Sequence, residues 1–424
     1  TAGQQALART AVHEAAEHLQ RAIACLGRLP ATLEREEREL ELQILLAPLL
    51  MTVYGWGAVE VERACERALR LAQELQRHDR SYPPLWGLWT VRFLRGEMAD
   101  ALESAGPILR IAQASGVPMI EITGRHATAY SLVYQGEVER ALEEAEAGLA
   151  LYEFEQEKVL ATTFFLSSSV CLRASRGHAL WMLGRVVEAE DEWDRMLQLA
   201  RDLQHPPSYA AALAFTLHGG GFRYGYIGEM DRLVDVADEL LVRSREVDFF
   251  LWYAVAYTYR GVIAEAMGDG EQARKQMLEG LDLFAQTGSR LTLVMMNILC
   301  AEAFYRLGDD GEAFRRLDAA EAEMIARQEG LLGPDTWRVR GRLLARQGEC
   351  RAAEAAYCLA IERARAQRAD SLELRAVLDL YDLLAEEGRA ENGRAVLAGL
   401  LARFTQGFDR PELARATAIV QASL

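Results

Sequence analysis

Several residue groups in this chain have types and spacing that invite a chemical reading. His13-Glu14 followed by His18 is close to the zinc-binding HExxH pattern. Its two imidazoles are five residues apart, which on a helix at ~100° per residue sets them about 140° apart, so they cannot share a metal. His218-Gly219-Gly220-Gly221 matches an HGGG oxyanion loop by letters. That loop works only beside a G-x-S-x-G nucleophile elbow on a strand-turn-helix, and neither is present. Gly221 falls on a small-residue slot of the repeat described below, while Gly219 and Gly220 predict a kink or a close backbone approach. There is no Walker GxxxxGK[ST] and no GxGxxG, and neither Lys158 nor Lys275 follows a glycine. The acidic pairs Glu143/Glu144 and Glu188/Glu190 fall on predicted exposed helix faces, where solvated charge is expected. Cysteines 25, 65, 171, 300, 350 and 358 form no CxxC pair. Most lie on apolar helix faces, so buried free thiols in a reducing, cytoplasmic compartment are expected. The chemistry-bearing residues therefore predict no catalytic residue, no metal and no cofactor: a non-enzyme.

The elements that position these residues are marked by a ladder of glycines at 96, 136, 184, 228, 268, 308, 348 and 388. The steps are 40, 48, 44, 40, 40, 40 and 40 residues. A recurring period of this size means stacked supersecondary units rather than one globular core. Each glycine stands between two apolar-periodic stretches, where it supplies φ > 0 at a helix end. Five residues on comes a small residue, as at Ala101, Ala141, Ala189, Ala273, Ala313 and Ala353, which lets the following helix approach its partner. Trp337, Gly341, Leu344, Gly348, Ala353, Tyr357 and Ala360 resemble the signature positions of the tetratricopeptide (TPR) repeat. Tyr257, Gly261, Gly268, Ala273 and Gly280 fit the same frame, as do Gly177, Leu180, Gly184, Ala189 and Trp193. The period here is 40 rather than 34, and Arg365 stands where a late proline is usual, so the array is TPR-like. Upstream, Thr10, Ala15 and Ala22 fit a second helix without its first, and Gly55 and Gly57 mark another turn.

These readings predict an all-α, TPR-like right-handed superhelical solenoid of about ten helix-turn-helix units of roughly 40 residues. One array is expected over 1–424, with less regular units at 1–80, stretched spacing at 81–228, regular units at 229–408 and a capping helix at 409–424. Half of the residues are apolar, ample for a core, and no strand pattern is visible. Pro118, Pro334 and Pro411 stand at plausible helix starts. A net charge of −16 argues against a phosphate-backbone partner, so no nucleic-acid contact is expected. No apolar run of eighteen residues is present, so no membrane span is expected. The opening half-unit reads as the cut edge of a longer protein.

In a TPR-like array the first helix of each unit lines the concave face. Positions about 13, 10, 6 and 3 before each turn glycine give Trp86, Phe93, His126, Tyr130, His178, Trp181, Phe215, His218 and Phe222 in the first half. The second half turns polar, with Glu265, Glu302, Tyr305, Arg338, Arg342, Arg375 and Asp382. Aromatic rings in a concave channel are anchors for partner peptides. The competing reading is ordinary packing between repeats. A shared metal among the histidines is disfavoured by the ~10 Å between neighbouring helices, and a pH-responsive groove is a further option.

YGWGAVEVERACERALRLAQEL (54–75) and PLWGLWTVRFLRGEMADALESAGPILRIAQ (84–113) resemble the helical-repeat region of bacterial STAND-type ATPases. In those proteins the region is joined to class III adenylate/guanylate cyclase, kinase or DNA-binding domains. The resemblance implies a regulatory, signal-transducing module that binds a protein or peptide in its groove and reports to an upstream nucleotide switch. None of that family's nucleotide-binding or cyclase residues is present. A small-molecule or peptide-sensing domain and an oligomerisation scaffold are the alternatives.

Overall fold

The computed structural model describes the backbone of residues 2–164, 166–222, 230–247 and 249–422, and their side chains except at 2–10, 160, 162–164 and 220–222. Every regular element among the described residues is helical. Helix α1 (Ala2–Leu26) precedes the pair α2 (Leu33–Tyr54) and α3 (Val59–Glu74). After one short 3-10 turn come α4 (Tyr82–Leu94) with α5 (Met98–Ser115), and α6 (Pro118–Gln135) with α7 (Val138–Leu149). Helix α8 (Phe154–Phe164) has no partner of its own. The pairs resume with α9 (Ser168–Met182) and α10 (Val186–Asp202), α11 (Pro206–Phe222) and α12 (Met230–Glu246), and α13 (Phe250–Ala266) and α14 (Gly270–Gln286). They continue with α15 (Leu293–Arg306) and α16 (Asp310–Arg327), α17 (Gly333–Arg346) and α18 (Cys350–Ala366), and α19 (Asp370–Glu386) and α20 (Ala390–Leu401). Helix α21 (Pro411–Gln421) closes the series where a cap was expected. The fold is the expected all-α, TPR-like solenoid. One continuous core of buried side chains runs from Tyr82 to Ala416.

The local rules behind the pairs are visible. Seven of the eight ladder glycines have φ between 73 and 87°; Gly228 lies outside the described residues. At each, the next amide reaches back five residues to a helix carbonyl, as Glu349 N–H does to Leu344 O and Asp309 N–H to Phe304 O. That is the helix-ending motif a left-handed residue permits. The small residues five positions on have 0% exposure at Ala101, Ala141, Ala189, Ala273, Ala313 and Ala353. The return turns, from second helix to next first helix, use left-handed Gln76, Gln204, Gln328 and Arg368 as well as Gly116 and Gly288. The 48-residue step has a physical cause in α8. Its Glu157 carboxylate accepts from Ser167 Oγ (2.5 Å), Ser169 Oγ (2.6 Å) and Ser169 N–H (3.2 Å), capping the start of α9.

The array winds tightly enough for successive turns of the superhelix to touch. Leu94 O, at the end of α4, accepts from Arg290 N–H (2.8 Å), Leu291 N–H (3.2 Å) and Ser289 Oγ (2.9 Å) in the loop before α15. One unit along, Tyr134 O accepts from Gly330 N–H (2.7 Å) and Leu331 N–H (3.2 Å). Another unit along, Trp181 O accepts from Ser371 Oγ (2.6 Å) across 190 residues. Such separations correspond to about five 40-residue units per turn. Hydrogen bonds donated by Arg410 to Glu190 (2.6 Å) and by Gln406 to Glu188 (2.7 Å) extend the seam. These two glutamates, read from sequence as solvated, join the turns instead.

Candidate functional site

The aromatic line expected to face an open channel is placed inside the protein. Trp86, Phe93, His126, Tyr130, His178, Trp181, Phe215 and His218 are all buried, between 0 and 8% exposed. The Phe222 side chain lies outside the described residues. The rings pack on one another: Trp86 on His126 (5.3 Å between centroids), His126 on Tyr130 (5.5 Å), Phe93 on Tyr130 (5.3 Å). Tyr130 on α6 then reaches Phe215 on α11 (5.7 Å), and Phe215 reaches Trp252 on α13 (5.6 Å). The tight pitch brings first helices from opposite sides of the superhelix together, so they fill its axis. Offset and edge-on ring pairs of this kind stabilise a core beyond their area. Here packing, rather than a free channel wall, describes these residues.

Burial sets the histidine chemistry. With no countercharge to offset desolvation, the imidazoles of His126, His178 and His218 are pushed down to about 3, His218 with a further push from His178. They are therefore neutral at physiological pH, which leaves the pH-responsive groove without its switch. His126 Nδ1 lies 3.2 Å from Ser168 Oγ, whereas neither nitrogen of His218 has a hydrogen-bond partner among the described residues. His13 and His18 are exposed, and no group of three metal-ligating side chains occurs among the described residues. The glycine run is a close-approach site. A Cβ on Gly219 would meet the Trp193 ring at 2.8 Å, and one on Gly177 would meet Trp193 Nε1 at 2.4 Å. Trp193 is thus wedged between the first helices of two units. Gly341 receives Tyr357 in the same way, at 2.5 Å. Cys65, Cys171 and Cys300 are buried as expected, but Cys25 and Cys358 are exposed.

The second half of the line keeps its charge. Arg338, 4% exposed, donates from Nε to Asp335 (2.5 Å), from Nη1 to Asp379 (3.1 Å) and from Nη2 to Glu302 (2.9 Å). Arg375 donates to Glu412 (2.9 Å) and Asp335 (3.3 Å) and lies over the Trp181 ring at 4.9 Å, linking the network to the opposite turn. Burial would raise the Glu302 carboxyl, but Arg338, Arg306, Arg342 and Arg375 together hold it well below the usual carboxylate range. For Asp379 burial outweighs Arg338 and Arg342 and raises it.

At the edge of this network the cations are the exposed partners. Arg342 is 29% exposed against 12% for its partner Glu302, and Arg346 is 34% exposed against 27% for its partner Asp310. Arg306 is 29% exposed and its partner Glu265 only 8%. Both Arg342 and Arg346 lie over the Tyr305 ring, at 4.8 and 3.5 Å. Arg346 donates to Tyr305 O and Asp310, each at 2.7 Å. The result is a row of partly exposed guanidiniums, two of them over the Tyr305 ring, on the first helices of successive units of an acidic protein. Sequence spacing found all of these residues except Arg306 and Arg346, which point the same way one turn further along their helices.

No family model matches the chain. An uncharacterized protein of Rhizobium meliloti (strain 1021) is 27% identical over 404 residues, covering 92% of this chain. The chain spans 37% of that relative's length. Among solved structures, a Rap protein complexed with competence and sporulation factor superimposes with a TM-score of 0.56 at 12% identity, over 85% of this chain and 99% of that one. At that identity the likeness shows the TPR-like fold alone. Yeast Tom70 is similar at a TM-score of 0.39 and 11% identity, over 99% of this chain and 96% of its own. Among the described residues no helix is long and apolar enough to cross a membrane.

Proposed function

We propose that the chain is a non-catalytic protein-interaction and sensor module within a longer bacterial signalling protein of the STAND ATPase or cyclase kind. Its match to a relative more than twice as long supports a place in a larger architecture. The docking surface in this reading is the guanidinium row of Arg306, Arg342 and Arg346 with Tyr305, not the aromatic line. The observation that carries it is the exposure of the cations: Arg306 and Arg342 are each 29% exposed against 8% for Glu265 and 12% for Glu302, and Arg346 is 34% exposed beside Asp310 at 27%. Such a row suits an extended partner segment bearing carboxylates, which guanidiniums grip in bidentate pairs.

Fluorescence anisotropy with a labelled glutamate-rich peptide tests this. The expected result is saturable binding that weakens with salt, is lost in Arg342→Glu/Arg346→Glu and is not seen with the lysine-rich counterpart. Equal binding by the double variant would overturn the assignment. A sensing role for a small ligand is the second reading, favoured by a cavity between the superhelical turns.

A further inference from the structure

The turns of the superhelix meet by backbone hydrogen bonds at Leu94 and Tyr134 and by Ser371 at Trp181. One unit earlier, where the end of α2 and the loop after it face α13 and α14, the same seam holds a cavity of about 730 Å³. Its walls come from both turns: Met51, Val53 and Trp56 on one side, and Phe249, Tyr253 and Leu283 on the other. Trp56 and Phe249 approach to 6.1 Å across it. Phe250 stands at the mouth with 62% of its surface exposed. Among the described residues no Asp, Glu, Lys or Arg lines it, in a chain where 26% of residues carry charge. His13 is the sole titratable imidazole in the lining.

The Tyr253 hydroxyl accepts from Arg245 (2.7 Å), and the Thr and Ser hydroxyls in the lining donate to backbone carbonyls. Thr287 Oγ1 donates to Phe284 O (2.7 Å), Ser289 Oγ to Leu94 O (2.9 Å) and Thr52 Oγ1 to Pro48 O (3.2 Å). An occupant therefore meets chiefly ring faces and aliphatic surface, with the Gln286 amide, His13 and the Tyr253 hydroxyl as polar contacts. A charged molecule would lose hydration there with no countercharge among the described lining residues. The volume lies within the ~300–1,000 Å³ of ordinary small-molecule sites.

We infer that this inter-turn cavity binds an uncharged, ring-bearing small molecule, and that the bound molecule completes the seam between the first and second superhelical turns. The site is separate from the guanidinium row and does not rest on the docking reading. A protein partner fits it poorly, because its walls come from separate turns and its volume is that of a small-molecule site. Ligand-filled, the seam gains contacts that Trp56 and Phe249 do not make with each other alone, so binding stabilises the closed superhelix.

The probe is prodan, a neutral naphthalene whose emission shifts to the blue in an apolar site, titrated into the full chain. One saturable site of micromolar affinity is expected, with slower exchange of the Arg290 and Leu291 amides on binding. Thr52→Trp, which fills the cavity from an exposed position, and Phe250→Asp, which sets a carboxylate at the mouth, each weaken binding by about tenfold or more. Unchanged melting curves show that both variants fold. A sulfonated anilinonaphthalene, with similar rings and a charge, binds about tenfold more weakly than prodan. Non-saturable prodan binding, equal binding by both variants, or equal binding of the sulfonate overturns the inference. So does a dimer seen by light scattering that Phe250→Asp dissolves while prodan fails to bind, since a second copy then fills the site.

Discussion

The buried imidazole of His218 gives a quantitative prediction. An unfolded histidine titrates near 6.5, whereas in the folded chain His218 is held down at about 3 by burial. Between those values the unfolded chain binds a proton that the folded chain refuses. Its contribution is therefore fully present above about 6.5 and lost as pH falls toward 3. Linkage places the loss at about 2 kcal/mol by about pH 5. His126 and His178 share the cause and the value, so the three together cost about 6 kcal/mol there, a large part of a domain's usual ~5–15 kcal/mol. Glu329 acts in the opposite sense. Burial, with Glu323 nearby, pushes its carboxyl up to about 8, so acidification relieves a cost that it imposes at neutral pH. The whole-protein profile mixes these effects, and a single variant separates them. His218→Phe keeps a ring among Phe215, Trp252 and Tyr259 and loses no hydrogen bond to the described residues. Urea unfolding of wild type and variant, followed from about pH 4.5 to 6, should show the slope of stability against pH reduced by about 1.4 kcal/mol per pH unit, one proton's worth. An unchanged slope would mean that the imidazole is solvated in the folded chain and the superhelix axis is not dry.

Gly219→Ala forces a Cβ into the Trp193 ring and should lower stability by about 1–3 kcal/mol in chemical denaturation, with Trp193→Leu in the same chain recovering part of it. Arg338→Ala removes the one cation shared by Glu302, Asp335 and Asp379, leaving them only their remaining arginine partners, and a loss of about 3–5 kcal/mol is expected by urea unfolding near neutral pH. Gln328→Gly removes a side chain from an exposed residue at φ 54° and should raise the melting temperature, by the equivalent of roughly 1 kcal/mol.

Much of this fold was legible because its cues are local. A left-handed turn needs glycine, and close helix contact needs alanine, so Gly348 and Ala353 announce their positions one unit at a time. The pairing of Gly341 with Tyr357 is equally local. What was hidden is the pitch. The number of units per superhelical turn follows from a small rotation summed over repeats, and no single residue encodes it. A wider helix would have left Trp86, Tyr130 and Phe215 on a channel wall; at about five units per turn they meet across the axis. Glu188 and Glu190 were misplaced for the same reason, since Gln406 and Arg410 reach them only when the turns touch. Helix α8 left one trace, the 48-residue step, but nothing in its composition marks Glu157 as the cap of α9. Spacing placed the charged residues on the first helices, whereas the burial of Arg338 and Arg375 and the exposure of Arg342 and Arg346 depend on how neighbouring units pack.

The closed superhelix is the claim on which the rest depends, and the backbone amides of Arg290 and Gly330 report on it directly. Both lie in loops, and their bonds to Leu94 O and Tyr134 O, at 2.8 and 2.7 Å, cross from one turn to the next. Native-state hydrogen exchange resolved at these residues should show protection comparable to that of the neighbouring helices α15 and α17. Exchange of both at the rate of an unprotected loop, with those helices still protected, would contradict it: the turns would stand apart and the aromatic axis would be an open channel.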